Sequence, residues 1–137
     1  MSSMSEYLEA RDLNHFYNKV ASSAPDTYLA LYTSDPTDAD TGTEVTGYTR
    51  PLIDQNGGIA PTWSTTSADG IGQKISNAHD IEVVVSAGAP VTITHVGIRD
   101  AVTAGNLLDH KDLDEAQIVN DGGTLRILAG NLEIRRE

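Results

Sequence analysis

Two periods of apolar residues divide this chain. Near the start, Met4, Tyr7, Leu8, Leu13, Phe16, Tyr17 and Val20 recur at spacings of three and four, with Glu9, Arg11 and Asp12 between them. That is the period of an amphipathic helix, predicted over residues 3–20. Ser3 and Glu6 have the spacing of a capping box. Pro25 ends the segment, because it biases the preceding residue away from helical geometry. Such a stripe either packs on the chain's own sheet or docks on a neighbouring subunit. The candidate docking residues are Tyr7, Leu8, Leu13, Phe16, Tyr17 and Val20.

From residue 27 onward the period shortens to two, the mark of strands. Thr27 to Ser34 places Leu29 and Leu31 on one face and Tyr28, Ala30 and Tyr32 on the other, so this strand is expected to be covered on both sides, by a second sheet and by the helix. Tyr48 to Asp54 carries Pro51, which removes a ladder donor and puts the strand at a sheet edge or makes it irregular. Gln55 to Gly58 reads as a turn, Ala60 to Thr66 as a short strand bearing the only Trp, and Ser67 to Gly70 as another turn. Gly72 to Asn77 and Asp80 to Ser86 follow as strands.

Val91 to His110 is predicted as a hairpin around a Gly-containing turn. Its apolar phase slips: Val91 and Ile93 are odd, Val96 and Ile98 even. A register slip of one residue exchanges the two faces, so either a β-bulge lies near Thr94-His95 or the strand is buried on both sides. Asp112 to Asn120 reads as a further strand. Beyond it, Leu125 and Ile127, then Leu132 and Ile134, alternate with polar residues on either side of Gly130, which marks a bulge or a tight hairpin.

One helix followed by about eight short strands, with a turn signal every eight to twelve residues and no βαβ alternation, predicts a mainly β fold: an antiparallel, jelly-roll-like β-sandwich. The 137 residues suit a single domain, helix 3–20 and sandwich 27–136.

Composition narrows the function. Nine Lys and Arg against 20 Asp and Glu give a net charge of −11, which repels a phosphate backbone and argues against nucleic acid. No apolar run approaches the roughly 20 residues a spanning helix needs, so no membrane partner is expected. The N-terminal residues carry acids and no apolar signal-peptide core. With no Cys, there is neither a disulfide nor a thiolate.

Candidate chemistry is sparse. Asp35, Asp38, Asp40 and Glu44 gather in one polar loop. Clustered carboxylates suit calcium, but the spacing is not that of the helix-flanked calcium loop, so these four are weak candidates beside a solvated acidic loop. His15, His79, His95 and His110 fall on separate elements without ligand spacing, and His95 is expected to hydrogen-bond within the fold. There is no nucleophile elbow, phosphate loop, dinucleotide fingerprint or zinc helix. The pattern points away from an enzyme and calls for no cofactor.

Four segments together carry a resemblance. THVGIRDAVTAGNLL, residues 94–108, is similar to a T-H-V-G-L-x-D-A-x-x-G-G-N-L-L pattern of small tail-fibre-like, head-decoration-type virion proteins of tailed phages. LALYTSDPTDADTGTEVTGYTRPLI, residues 29–53, resembles their L-A-L-x-T-x-D-P followed by G-T-E-V-x-G-x-x-Y-x-R. Ile75-Ser76-Asn77 resembles their I-x-N, and NDGGTLRILAGNLEI, residues 120–134, their G-D-x-x-x-F-x-A-G-x-L-x-I ending. The order is the same and nearly the whole chain is covered. Departures are the single Gly47 before Tyr48, and Leu125 and Ile127 where Phe is usual.

The resemblance implies a non-enzymatic structural part of a virus particle, made in the host cytoplasm and carried on the capsid or tail surface. Its expected partners are copies of itself, as a trimer or other cyclic oligomer, and the major capsid or tail proteins. The alternative from the residues is a receptor- or carbohydrate-binding β-sandwich, which would need exposed aromatics in a shallow groove.

Overall fold

The computed structural model describes residues 2–54 and 63–136. Ten strands and one helix follow in the order β1 (Ser2–Met4), α1 (Glu6–Tyr17), β2 (Thr27–Tyr32), β3 (Leu52–Asp54), β4 (Ser67–Asp69), β5 (Gly72–Ser76), β6 (Ile81–Val85), β7 (Val91–Arg99), β8 (Leu107–Val119), β9 (Gly123–Ile127) and β10 (Glu133–Arg136). They form three antiparallel sheets, ordered β1-β8-β7-β2-β3, β10-β5-β4 and β6-β9. One apolar core joins all three, drawing Leu29, Leu31, Ile93, Val96 and Ile98 from the first, Ile134 from the second, and Val83, Val85 and Leu125 from the third. The architecture is the expected mainly β, sandwich-like one, with ten strands in place of about eight.

The helix is shorter than its apolar period predicts. Residues 2–4 are spent on β1, which pairs with Asp109 to Lys111 of β8, so Ser3 and Met4 are strand residues. The cap is Ser5, whose hydroxyl accepts from the Leu8 N–H at 3.2 Å and donates to the Leu107 carbonyl. Ser5 thus closes the helix and fastens it to β8 at once. At the other end Lys19 turns left-handed (φ 56°) and the Val20 N–H returns to the Asn14 carbonyl at 3.0 Å, three residues short of the predicted end.

β2 is buried on both faces, as its two-sided apolar pattern requires. Leu29 and Leu31 enter the main core, while Ala30 and Tyr32 meet Leu107 on the other side. β3 is the edge strand of its sheet and begins after Pro51, so the predicted edge position holds while the strand is reduced to 52–54. The turn expected at 55–58 and the first residues of the strand at 60–66 lie outside the described residues. Among the described residues Trp63 pairs as an isolated bridge with Asn77. It is half-buried against the core, and its indole N–H donates to the Thr27 hydroxyl at 3.2 Å. Ser67 to Asp69, expected as a turn, pair with β5, and the reversal falls at Gly70-Ile71.

The phase slip in β7 resolves as a bulge. Ile93 faces Gln117 and His95 faces Asp112, so Leu113 to Ala116 lie opposite Thr94 alone. Beyond the bulge Val96 to Arg99 are buried on both faces, so both expected devices are used. The bulge also keeps β8 a single strand of 13 residues where the sequence pattern suggested two. Gly130 (φ 85°) makes neither bulge nor hairpin: β9 pairs with β6 and β10 with β5, so it turns the chain from one sheet to another.

Candidate functional site

The acidic loop after β2 is a strap held by two buried arginines. Asp40 receives the Arg99 guanidinium in two-point contact, Nη1 to Oδ1 at 2.9 Å and Nη2 to Oδ2 at 2.7 Å. Arg99 also donates to the Tyr32 hydroxyl at 2.7 Å and the Gly105 carbonyl at 3.2 Å. Glu44 receives Arg50 in the same way, Nε to Oε1 at 2.7 Å and Nη2 to Oε2 at 2.6 Å, and accepts from the Tyr48 hydroxyl at 2.6 Å. The remaining Arg50 nitrogen, Nη1, donates to the carbonyls of Ala101 and Ala104, both at 2.8 Å. The two arginines therefore stitch the strap to the turn between β7 and β8. Planar guanidinium is the group suited to such two-point pairing.

These contacts set the local titration. Burial alone would raise the Glu44 carboxyl, but the hydrogen bonds from Arg50 and Tyr48 outweigh it and hold it below its ordinary 4.5. Burial pushes the Tyr32 hydroxyl above its ordinary 10.0, against the hydrogen bond from Arg99. Burial would lower Arg99, yet its bonds to Asp40 and Tyr32 keep it firmly a cation.

Of the four acids singled out as weak cation ligands, Asp40 and Glu44 are thus held by Arg99 and Arg50. Asp38 is 2.9 Å from His110 Nε2, and Asp35 accepts from the Thr37 N–H at 2.9 Å while lying 3.7 Å from His110 Nδ1. Among the described residues no group of three or more His, Cys, Asp or Glu is placed to hold a metal ion. His95 Nδ1 lies 2.9 Å from the Thr94 hydroxyl, an internal bond as expected, and His15 lies 3.1 Å from the Ser22 hydroxyl.

The helix carries the other candidate residues, and they divide. Leu8 packs against the core, and Tyr7 is partly exposed. Leu13, Phe16, Tyr17 and Val20 face solvent, with Phe16 71% and Tyr17 80% exposed. Leu13, Phe16 and Tyr17, at spacings of three and four, lie on neighbouring positions of the second half of α1, and Val20 follows beyond the left-handed Lys19. Large apolar residues exposed close together mark interaction surfaces more often than isolated ones do.

Arg50 and Arg99 went unrecognised in the sequence pattern. The available signal was their setting: two of only nine basic residues stand inside apolar stretches, GYTRPLI and HVGIRDAV. Such a cation must be paired to be buried.

Residues 3–135 match the family described as Podophage GP4 fiber I protein gp80. The chain belongs to this family. Membership of a podophage fibre family makes it a structural protein of a phage particle, in a family of fibre proteins and not of enzymes. The resemblance to virion proteins of tailed phages is thereby confirmed at the level of the family. The gp80 match takes in the strap, both arginines, β2 to β9 entire and most of β1 and β10. No curated protein sequence matches the chain.

Proposed function

We propose that this gp80-family protein is a non-enzymatic accessory component of the capsid or tail surface, one that associates with copies of itself and docks to other virion proteins through α1. The observation that carries this reading is the exposure of Leu13, Phe16 and Tyr17, with Val20 just past the helix end, on a helix whose cap, Ser5, is anchored to β8. A rigid β domain presenting one apolar helical face has the form of a docking module: the sheets supply stiffness and the helix supplies buried apolar contact, as in recognition of an amphipathic helix by a groove. Asp35, Asp38, Asp40 and Glu44 of the strap each have a partner within the protein, which favours a scaffold over catalysis.

Replacing Phe16 and Tyr17 together by Asp tests it. Both side chains are exposed, so the isolated protein keeps its fold and melting temperature. Incorporation into particles is lost if α1 docks, and unchanged incorporation contradicts the proposal.

A further inference from the structure

A second surface lies between β8 and β9, with Val96 of β7 and Leu132 also contributing to its lining. The two strands are joined by the tight turn 120–122, then diverge into different sheets and leave a cleft of about 780 Å³. Most of its lining comes from β8 and β9. β1 covers only Asp109 to Lys111 of one β8 edge, and among the described residues no strand pairs with the edge of β9 turned away from β6. An uncovered edge offers backbone donors and acceptors to an incoming strand.

The side chains lining the cleft suit such a guest. Leu125 is buried and Leu113 and Ile127 half-buried, giving an apolar floor, while Ile118 stands exposed at the mouth. On the rim, Arg126 is held by Asp80 and Glu82. Asp114 and Glu115 have no ion-pair partner among the described residues, and Lys111 lies farther along β8. A second copy of a chain with net charge −11 meets like charge here. A basic segment meets its complement.

We propose that this cleft takes an extended, basic segment of another protein of the particle, added as a strand along the free edge of β9. Main-chain pairing to β9 supplies affinity, alternate side chains of the guest fill the apolar floor, and its Lys or Arg residues face Asp114 and Glu115. The proposal rests on the reading of the chain as a surface component of the particle, and its test separates the two.

The chain has no Cys, so Ile118→Cys or Thr124→Cys places a single thiol in the cleft. Maleimide labelling of that thiol is expected to be slower on assembled particles than on the isolated protein by roughly ten-fold or more, as are the exchange rates of the β9 amides. Introducing Asp114→Lys with Glu115→Lys is expected to abolish that protection, or to remove the protein from particles, while the purified variant melts as before. Labelling of particles at the rate of the free protein overturns the proposal. So does protection that survives the two Lys substitutions, or a disulfide between two copies through the introduced thiol, which would make the occupant a second copy. Absence of the unsubstituted protein from purified particles overturns the virion reading itself, and the cleft proposal with it.

Discussion

Arg50 and Glu44 meet in a two-point ion pair, with nitrogen–oxygen distances of 2.7 and 2.6 Å and the arginine side chain only 8% exposed. The pair is the centre of a longer connection. The Leu31 N–H donates to the Tyr48 hydroxyl at 2.8 Å, Tyr48 donates to Glu44, and Arg50 continues to the carbonyls of Ala101 and Ala104. Strand β2, the strap and the β7–β8 turn are thereby fixed to one another. Removing one partner of a buried pair leaves the other desolvated and uncompensated, so Arg50→Met is expected to cost about 3 kcal/mol. Adding Glu44→Gln to Arg50→Met should restore part of that loss, because no unpaired charge remains. Urea unfolding of the two single variants and the double variant measures the coupling. Strictly additive losses would contradict it.

Asn77 is a second bracket. Its side-chain amide donates to the carbonyls of His79 (2.7 Å) and Leu128 (3.1 Å), and its Oδ1 accepts from the Leu132 N–H at 2.9 Å. Its backbone binds the Leu132 carbonyl and the Gly130 N–H. One buried side chain thus holds the corner where the chain leaves β9 for β10. Asn77→Ala leaves the buried Leu132 N–H and two part-buried carbonyls without this partner, at roughly 1–3 kcal/mol. Asn77→Asp can still accept from Leu132 but cannot donate to either carbonyl, so it should cost nearly as much. An Asp variant with the stability of the parent would refute the bracket.

Gly97 tests the packing beneath the strap. A Cβ there would lie 2.8 Å from both Leu107 Cδ1 and Tyr32 Cε2. Its role is therefore close approach alone, whereas Gly105 combines close approach with a left-handed φ of 71° in the turn. Gly97→Ala is expected to destabilise by about 1–3 kcal/mol. Pairing it with Tyr32→Leu, which vacates part of the space, should recover some of this loss in thermal melts.

These sites explain how much the chain disclosed. The alternation in β6 and the slip at Thr94-His95 were legible because each apolar phase maps directly onto a buried face. The quoted segments G-T-E-V-x-G-x-x-Y-x-R and I-x-N were legible as family marks, but their physical meaning was not. Glu44, Tyr48 and Arg50 act only once Ala101 and Ala104 are brought beside them, and Asn77 only once Leu132 is. Contacts between residues 50 or more positions apart leave no local period. The helix start was misplaced for the same reason, since only the pairing of Ser2 to Met4 with β8 draws those residues out of the helical pattern.

Acid should separate the half-buried Glu44 carboxyl from the buried Asp109 carboxyl. The Glu44 carboxyl is held below its ordinary 4.5, so the stability it contributes is present above that value and lost as pH falls through its lower folded value. Asp109 behaves oppositely. Burial raises its carboxyl above the ordinary 3.8 even though Arg136 lies 2.9 Å away and pulls the other way. Between those two values the folded chain binds more protons than the unfolded one, so this contribution grows as pH falls. At neutral pH, Glu44→Gln should therefore destabilise the protein, while Asp109→Asn should be neutral or stabilising. On acidification Glu44→Gln should lose less stability than the parent. Denaturant midpoints across the acid range would show it, and equal losses from both variants at neutral pH would contradict it.

Under the proposed function, a gp80-family β domain serves on the particle surface and docks through the exposed apolar residues of α1. Electron cryomicroscopy of native particles tests it most directly. Density for this domain is expected in symmetric copies on the capsid or tail, with Phe16 and Tyr17 buried against another virion polypeptide. Particles that lack the domain, or that carry it with that helical face turned to solvent, would contradict it.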